Sequence, residues 1–462
     1  MKFAVFALAL CLMLPVVSYA GGVTRITADS IKSDSVWSGR VLVEKPFKVE
    51  KGATLTIKPG AEVRFKKGAG LTVEGVLKAS GSKGSPIVFT SDEKTPAPGD
   101  WQGISLSESG KGTALKKCVI SYAAASVSIA VSDPPVSNCE IKRGSQGIVL
   151  ARKTTSRLEA NNIHDMKDAG ISCQMGAAPK ITGNTINKCG PVGITSSQDS
   201  APVIKGNTIS GCETGVGLSR GVPPIENNLL KDNKTGIFLS TIEEMTVRGN
   251  RFTGNNAGLV CQQFSNPVVE KNEFTGNTDA GLVCFRASSP LVRNNNFSKN
   301  NRAIACIQLC NPKITANNIF GNKKGVYLDL SSYALVNGNN IYDNDVEFEL
   351  GNMSSDWEYR VNKKPERGSQ AQNIMMANRG RAVRTQMGDG AHIMGFVDAT
   401  GNWWGQAVTT EMEAKGPEAN IKSFIDYYDV PTRTYDGYPG TYTQDKIKYE
   451  GWKKSRIKGA GF

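Results

Sequence analysis

The chain has 462 residues, of which 39% are apolar and 7% aromatic, with 49 Gly, 20 Pro and only two His. Lys and Arg exceed Asp and Glu by 13 (55 against 42), or by 12 once Lys2 is removed with the leader described next. After that leader no run of 18 apolar residues exists, which excludes a membrane-spanning helix there. No recognisable nucleic-acid fold is present, so nucleic acid is not an expected partner.

In residues 1–20, Lys2 is followed by an apolar run from Phe3 to Val17 and by Ser18-Tyr19-Ala20, a small-x-small cleavage pattern. This reads as a secretory signal peptide cut before Gly21, and predicts export to the periplasm, the cell surface or the medium. The basic excess gathers late, at Arg379, Arg381 and Arg384 and from Lys446 to Lys458. In an exported chain it points to acidic polysaccharide, lipopolysaccharide or a membrane surface.

Residues 21–117 show short apolar alternation and read as an amino-terminal cap with the first turns of a coil. From 118 to 362 one motif recurs about every 22 residues. Its Asn column is Asn161, Asn184, Asn207, Asn228, Asn250, Asn272, Asn295, Asn317 and Asn339. A second column, five residues later, runs Asn233, Asn255, Asn277, Asn300, Asn322 and Asn344, and Gly147 to Gly325 mark a Gly-Ile-x-Leu segment in the same step. Three short strands fit each unit, and a fixed period of this length means one rung stacked many times. The predicted fold is an all-β, right-handed parallel β-helix of roughly ten or eleven rungs, about 50 Å long. Asn suits a corner that needs left-handed backbone angles, and stacked amides can bond along the rod. Residues 363–396, rich in Lys, Arg, Gln and Met, read as an interruption, and 397–462 as a last rung, a cap and a basic tail.

Nine Cys follow the leader, and all but Cys310 fall on inward columns: Cys118 and Cys139, Cys189 and Cys212, and Cys173 with Cys261, Cys284 and Cys306. Three readings stand: small buried hydrophobes, disulfides between adjacent rungs, or a metal or redox line. No Cys-x-x-Cys-His is present, and no cofactor or metal is expected.

Acid–base cleavage of a polysaccharide needs two or more carboxylates close together. The eighteen outward positions of the Gly-Ile-x-Leu sheet hold one, Asp329. Gln174, Ser197 and Ser219 with Arg152 and Arg220 form a surface suited to a glycan. Farther along, Phe238, Val260, Val283, Phe285, Ile307 and Tyr327 make an outward apolar stripe, which predicts a cover: the chain's own 363–400 segment or tail, or a protein partner. His164-Asp165 reads as an exposed turn, and Glu159, Asp165 and Asp168 as the place to look for a displaced acidic site.

Trp37-Ser38-Gly39, Leu55 to Gly60, Leu71 to Gly75, Trp101 to Ile104, the Asn and Gly columns and Gly401-Asn402-Trp403-Trp404-Gly405 together resemble exported bacterial right-handed β-helix repeat proteins. That group belongs to the pectate-lyase-like superfamily, which includes periplasmic carbohydrate-binding and sugar-hydrolase domains and the nitrous-oxide-reductase accessory protein. The resemblance spans most of 35–452 and concerns fold far more than activity. Two functions follow as expectations. One is a non-catalytic envelope rod that binds a glycan or another exported protein. The other is a polysaccharide lyase, hydrolase or epimerase with its site off the Gly-Ile-x-Leu sheet.

Overall fold

The computed structural model describes residues 18–19, 22–221, 223–242, 244–362 and 395–462. The expected leader of 1–20 and the interruption of 363–396 lie almost wholly outside them. The described chain winds into a β-solenoid of three sheets, two of 16 strands (A and B) and one of 14 (C), in which neighbours are every third strand in sequence. Around Asn272 one rung consists of Val268–Glu270 in sheet C, Glu273–Thr275 in sheet A and Ala280–Phe285 in sheet B. Pairing between rungs is parallel and in register, as in Leu259↔Leu282↔Ile304. Sheets of 14 to 16 strands give a rod of about 70 Å, longer than the repeat alone predicts. The difference comes from residues 22–117, which wind the same way without Asn columns.

Strand alternation sends Val269, Phe274, Leu282 and Cys284 into a core with no exposed surface. Phe252, Phe274 and Phe297 stack face to face at 4.5 and 4.6 Å. In sheet B a Cβ at Gly258 would lie 2.5 Å from the Gly281 carbonyl, so the close approach of adjacent rungs excludes a side chain there.

The corner between sheets C and A departs from expectation. The left-handed residue is the one before each ladder Asn, from Ala160 through Lys271 to Gly338, with φ between +53° and +66°. Each Asn serves as a hydrogen-bonding hub instead. The Asn272 amide nitrogens, main chain and side chain, donate to Asn295 Oδ1 at 2.9 and 3.0 Å, and Nδ2 reaches the Val247 carbonyl at 2.8 Å. Its own Oδ1 accepts the same pair from Asn250. The ladder starts where Cys139 N–H donates to Asn161 and ends at Asn402 of the Gly-Asn-Trp-Trp-Gly sequence, which accepts from Asn339. The second column forms an equal ladder from Cys212 to Asn344, closed by the carboxyl of Glu347.

All nine described Cys are free and buried. Cys261, Cys284 and Cys306 are consecutive partners across sheet B. Cys310 is not outside the columns. It occupies a third-corner ladder in which Ser265 Oγ accepts from Ile242, Ser288 Oγ from Ser265, and Ser332 Oγ from Cys310. Burial pushes the Cys173 and Cys310 thiols up, which makes them poor nucleophiles.

The far end is closed by several pieces. Phe424–Ile425 extends sheet B beyond Val346–Leu350. Helix α1 (Ser355–Asn362) packs beside the strand Tyr438–Thr443, and helix α2 (Gly405–Lys415) follows buried Trp404. Such covering is what an open parallel edge requires.

Two outcomes follow. Asn272→Leu takes the acceptor from the Asn250 main-chain N–H and the side-chain donor from the Val247 carbonyl, at a cost of about 2–4 kcal/mol; native-state hydrogen exchange of the Asn250 amide should rise accordingly. A small disulfide reagent should react with the thiols only after denaturation; full reaction in the native state would show that these columns open.

Candidate functional site

The outer face of sheet B is a strip two residues wide. Register aligns Ser172, Thr195, Gly217, Phe238, Val260, Val283, Ala305, Tyr327 and Glu349 in one lane. The second lane runs Gln174, Ser197, Ser219, Ser240, Gln262, Phe285, Ile307 and Asp329. The glycan-type residues and the apolar stripe inferred from sequence are therefore one continuous surface, polar in the earlier rungs and apolar in the later ones. Phe238, Val260, Val283, Phe285, Ile307 and Tyr327 are all half-buried, while Ala305 is fully buried among them.

One residue beyond the second lane, the chain turns through a left-handed position in every rung. Arg152, Arg220 and Arg286 occupy it with φ of +55°, +59° and +52°. All three are exposed, and they stand three rungs apart along one edge, about 14 Å from one to the next. Arg286 also sits over the Phe285 ring at 5.0 Å. Sequence reading found the first two and missed Arg286, although it lies one residue past the outward row as they do.

The strip ends in charged groups. Tyr327 donates to Asp329 Oδ2 at 3.0 Å, and Arg302 and Lys324 each lie 5.5 Å from its ring centre. Lys324 pairs with Glu349 at 2.7 Å, and Arg302 with Asp279. Burial first, then the Asp329 carboxylate, pushes the Tyr327 phenol well above its ordinary value. The phenol is thus held protonated.

Other expectations are corrected. His164 is not on an exposed turn: it ends the sheet A strand Asn162–His164, with its ring 2.8 Å from Asp165 and 3.2 Å from Glu140. Glu159 ends a strand of sheet C, separate from Asp165, and no group of three or more His, Cys, Asp or Glu suited to a metal occurs among the described residues. The tail folds back onto sheet A, where Gly461 N–H bonds the Ala316 carbonyl, so it does not cover the apolar stripe on sheet B. The other expected cover, from 363–400, falls mostly outside the described residues.

A buried acidic cluster lies in the end cap. Tyr333 Oη is 2.8 Å from Glu358 Oε1 and 3.0 Å from Asp445 Oδ2, and Asp445 also accepts from Ser355 N–H at 2.9 Å. One phenol proton serves only one of two carboxylates, so the other contact needs a protonated carboxyl. Burial drives Glu358 up to about 7 and raises Asp445 as well. The ladder-closing Glu347 is likewise pushed by burial to about 8.

The model for "Right handed beta helix region" matches residues 97–223 and 192–346, and that for "Pectate-lyase like beta helix domain" matches 31–130. The chain belongs to the right-handed β-helix family. Among solved structures it is similar to the periplasmic alginate epimerase AlgG, at 16% identity over 65% of this chain and 76% of that one, with a TM-score of 0.41. It is also similar to the PL6 family alginate lyase AlyGC (14% identity, 64% and 51% covered, TM-score 0.41). An alginate lyase from Paenibacillus sp. str. FPU-7 is a third (18% identity, 61% and 88% covered, TM-score 0.22). No curated protein sequence matches the chain.

Glu358 and Glu347 bind their protons more tightly in the folded chain than at the ordinary value of 4.5. Their contribution to cap stability is complete below about pH 4.5 and is lost as pH rises through about 7 and 8. Melting temperature should therefore fall between pH 5 and pH 9. Glu358→Gln, which removes the titrating group and keeps an oxygen to accept from Tyr333, should remove roughly 3 kcal/mol or less of that pH dependence.

Proposed function

We propose that this β-helix is an exported protein that binds an acidic polysaccharide along the outer face of sheet B without cleaving it. The observation that carries this reading is the edge formed by Arg152, Arg220 and Arg286, evenly spaced beside a strip of amide, hydroxyl and aromatic side chains. A guanidinium is always charged and matches a carboxylate with two parallel hydrogen bonds, so a regular row of three selects an extended polymer with repeated acidic groups. Gln174, Ser197, Ser219 and Ser240 offer donors and acceptors to hydroxyls in the earlier rungs. Phe238, Phe285 and Tyr327 offer apolar surface to sugar rings in the later ones.

Turnover asks for more than this strip provides. A lyase or epimerase must remove a proton next to a carboxylate, and a hydrolase needs a pair of acids. Tyr327 keeps its own proton, Asp329 accepts from Tyr327 and from the amides of Leu330 and Asn352, and Glu349 is engaged by Lys324. These acids are occupied in fixing the end of the strip. Export rests on the leader-like residues 1–20, and the late basic residues fit the same class of partner.

Co-sedimentation with a polyuronate should show binding that weakens with salt, and little binding to a neutral glucan. Replacing Arg152, Arg220 and Arg286 together by Ala should weaken polyuronate binding at least tenfold and flatten the salt dependence, while Tyr327→Phe should change it less than twofold. Release of unsaturated uronate or reducing ends by the wild-type chain would overturn the non-catalytic reading. Absence of binding to any glycan would overturn the proposal and leave the apolar stripe to a protein partner.

A further inference from the structure

The outer face of sheet A carries a second amide row, unrelated to the buried ladders. Asn340 Nδ2 donates to Asn318 Oδ1 at 2.9 Å, and Asn318 Nδ2 donates to Asn296 Oδ1 at 3.0 Å. Residues 456–462 lie across this row. Asn340 holds Ile457 from both sides, accepting from its N–H at 2.8 Å and donating to its carbonyl at 3.0 Å. Asn294 donates to the Gly459 carbonyl at 3.1 Å, Asn296 to the Phe462 carbonyl at 3.4 Å, and Gly461 N–H donates to the Ala316 carbonyl at 2.8 Å.

Every one of these contacts is made to the main chain of the segment. Of its side chains, Lys458 and Phe462 are exposed, Ile457 is half-buried, and the exposed Arg456 lies over the Tyr342 ring at 5.5 Å. The sequence of the segment matters through what it lacks. A Cβ on Gly461 would fall 2.1 Å from Asn318 Nδ2 and 2.4 Å from Asn296 Oδ1, and Gly461 also holds φ at +79°. The amide row thus holds the main chain of a turned segment, with Gly459 and Gly461 both at positive φ, and requires Gly at position 461. The groups that meet beneath the segment are mostly polar, and those amides can hydrate if it leaves.

We propose that Asn294, Asn296, Asn318 and Asn340 form a peptide-binding site, occupied in this structure by residues 456–462 as a displaceable internal ligand. The ligand that fits it from outside is the same segment of a second copy of this chain. This site is on a different sheet from the glycan strip and does not depend on it.

The test uses the full chain with Gly461→Val, which expels its own segment, and a fluorescent peptide with the sequence of residues 454–462. The variant should bind the peptide at least tenfold more tightly than the wild-type chain does, and a peptide carrying the same Gly-to-Val change should not bind. A folded variant that ignores the peptide, or a wild-type chain that binds it equally, would overturn the proposal. Should the variant not fold, hydrogen exchange on the wild-type chain decides. The Ile457 and Gly461 amides should exchange at least a hundredfold faster than the ladder amides of Asn295 and Asn317, and equal protection would show a fixed strap instead.

Discussion

A coil of short strands has to turn three times per rung, and each turn removes main-chain N–H and C=O groups from the regular sheet pattern while leaving them beside the core. Buried groups of that kind must be paired. Here the side-chain carboxamide of Asn does the pairing. At Asn272 it supplies an acceptor to Asn250 of the preceding rung, a donor to Asn295 of the following rung, and donors to the Val247 carbonyl of the preceding rung and the Glu270 carbonyl of its own corner. No other neutral side chain of that length offers both functions in one plane. The uniform 21 to 23 residue step from Asn161 to Asn339 is the sequence record of this constraint, since each hub must lie directly over the next.

Much of the fold was legible for that reason. A demand repeated in every rung leaves the same residue in every copy, and inward positions such as Ile181, Ile204 and Ile225 repeat because they stack on each other. Two things were not legible. The left-handed angle was assigned to the Asn itself, whereas it belongs to the residue before. That position tolerates Ala160, Lys271 and Asn294 as well as Gly, and so leaves no clean column. Cys310 looked isolated because its partners at the third corner are Ser265, Ser288 and Ser332, where the hydroxyl and the thiol share a place but not a letter.

The candidate site was legible only in halves. Alternation told which residues face outward, so the amide and hydroxyl positions and the apolar stripe were both found. Their continuity in one lane, Gln262 directly beneath Phe285, depends on register between rungs of slightly different length. The Arg edge was harder still, because three residues separated by 68 and 66 positions look unrelated until the rungs between them are stacked. The end cap left the weakest trace. Tyr333, Glu358 and Asp445 converge from a corner, a helix and a returning strand, with no period to announce the meeting.

The two buried ladders also have a direction. Every ladder amide donates toward the later rung and accepts from the earlier one, so the side-chain dipoles add head to tail along the rod instead of cancelling. A chain of this polarity has one kind of end at each terminus: a free acceptor where it begins and a free donor where it stops. At the first ladder's beginning a main-chain N–H from Cys139 meets the acceptor. At the finishing ends the requirement is the opposite, and Asn402 and Glu347 each present oxygen. Growth of the solenoid by one more rung is therefore not symmetrical. A rung added at the late end must arrive with an acceptor in place, as the two carboxyl oxygens of Glu347 do for the main-chain and side-chain N–H groups of Asn344.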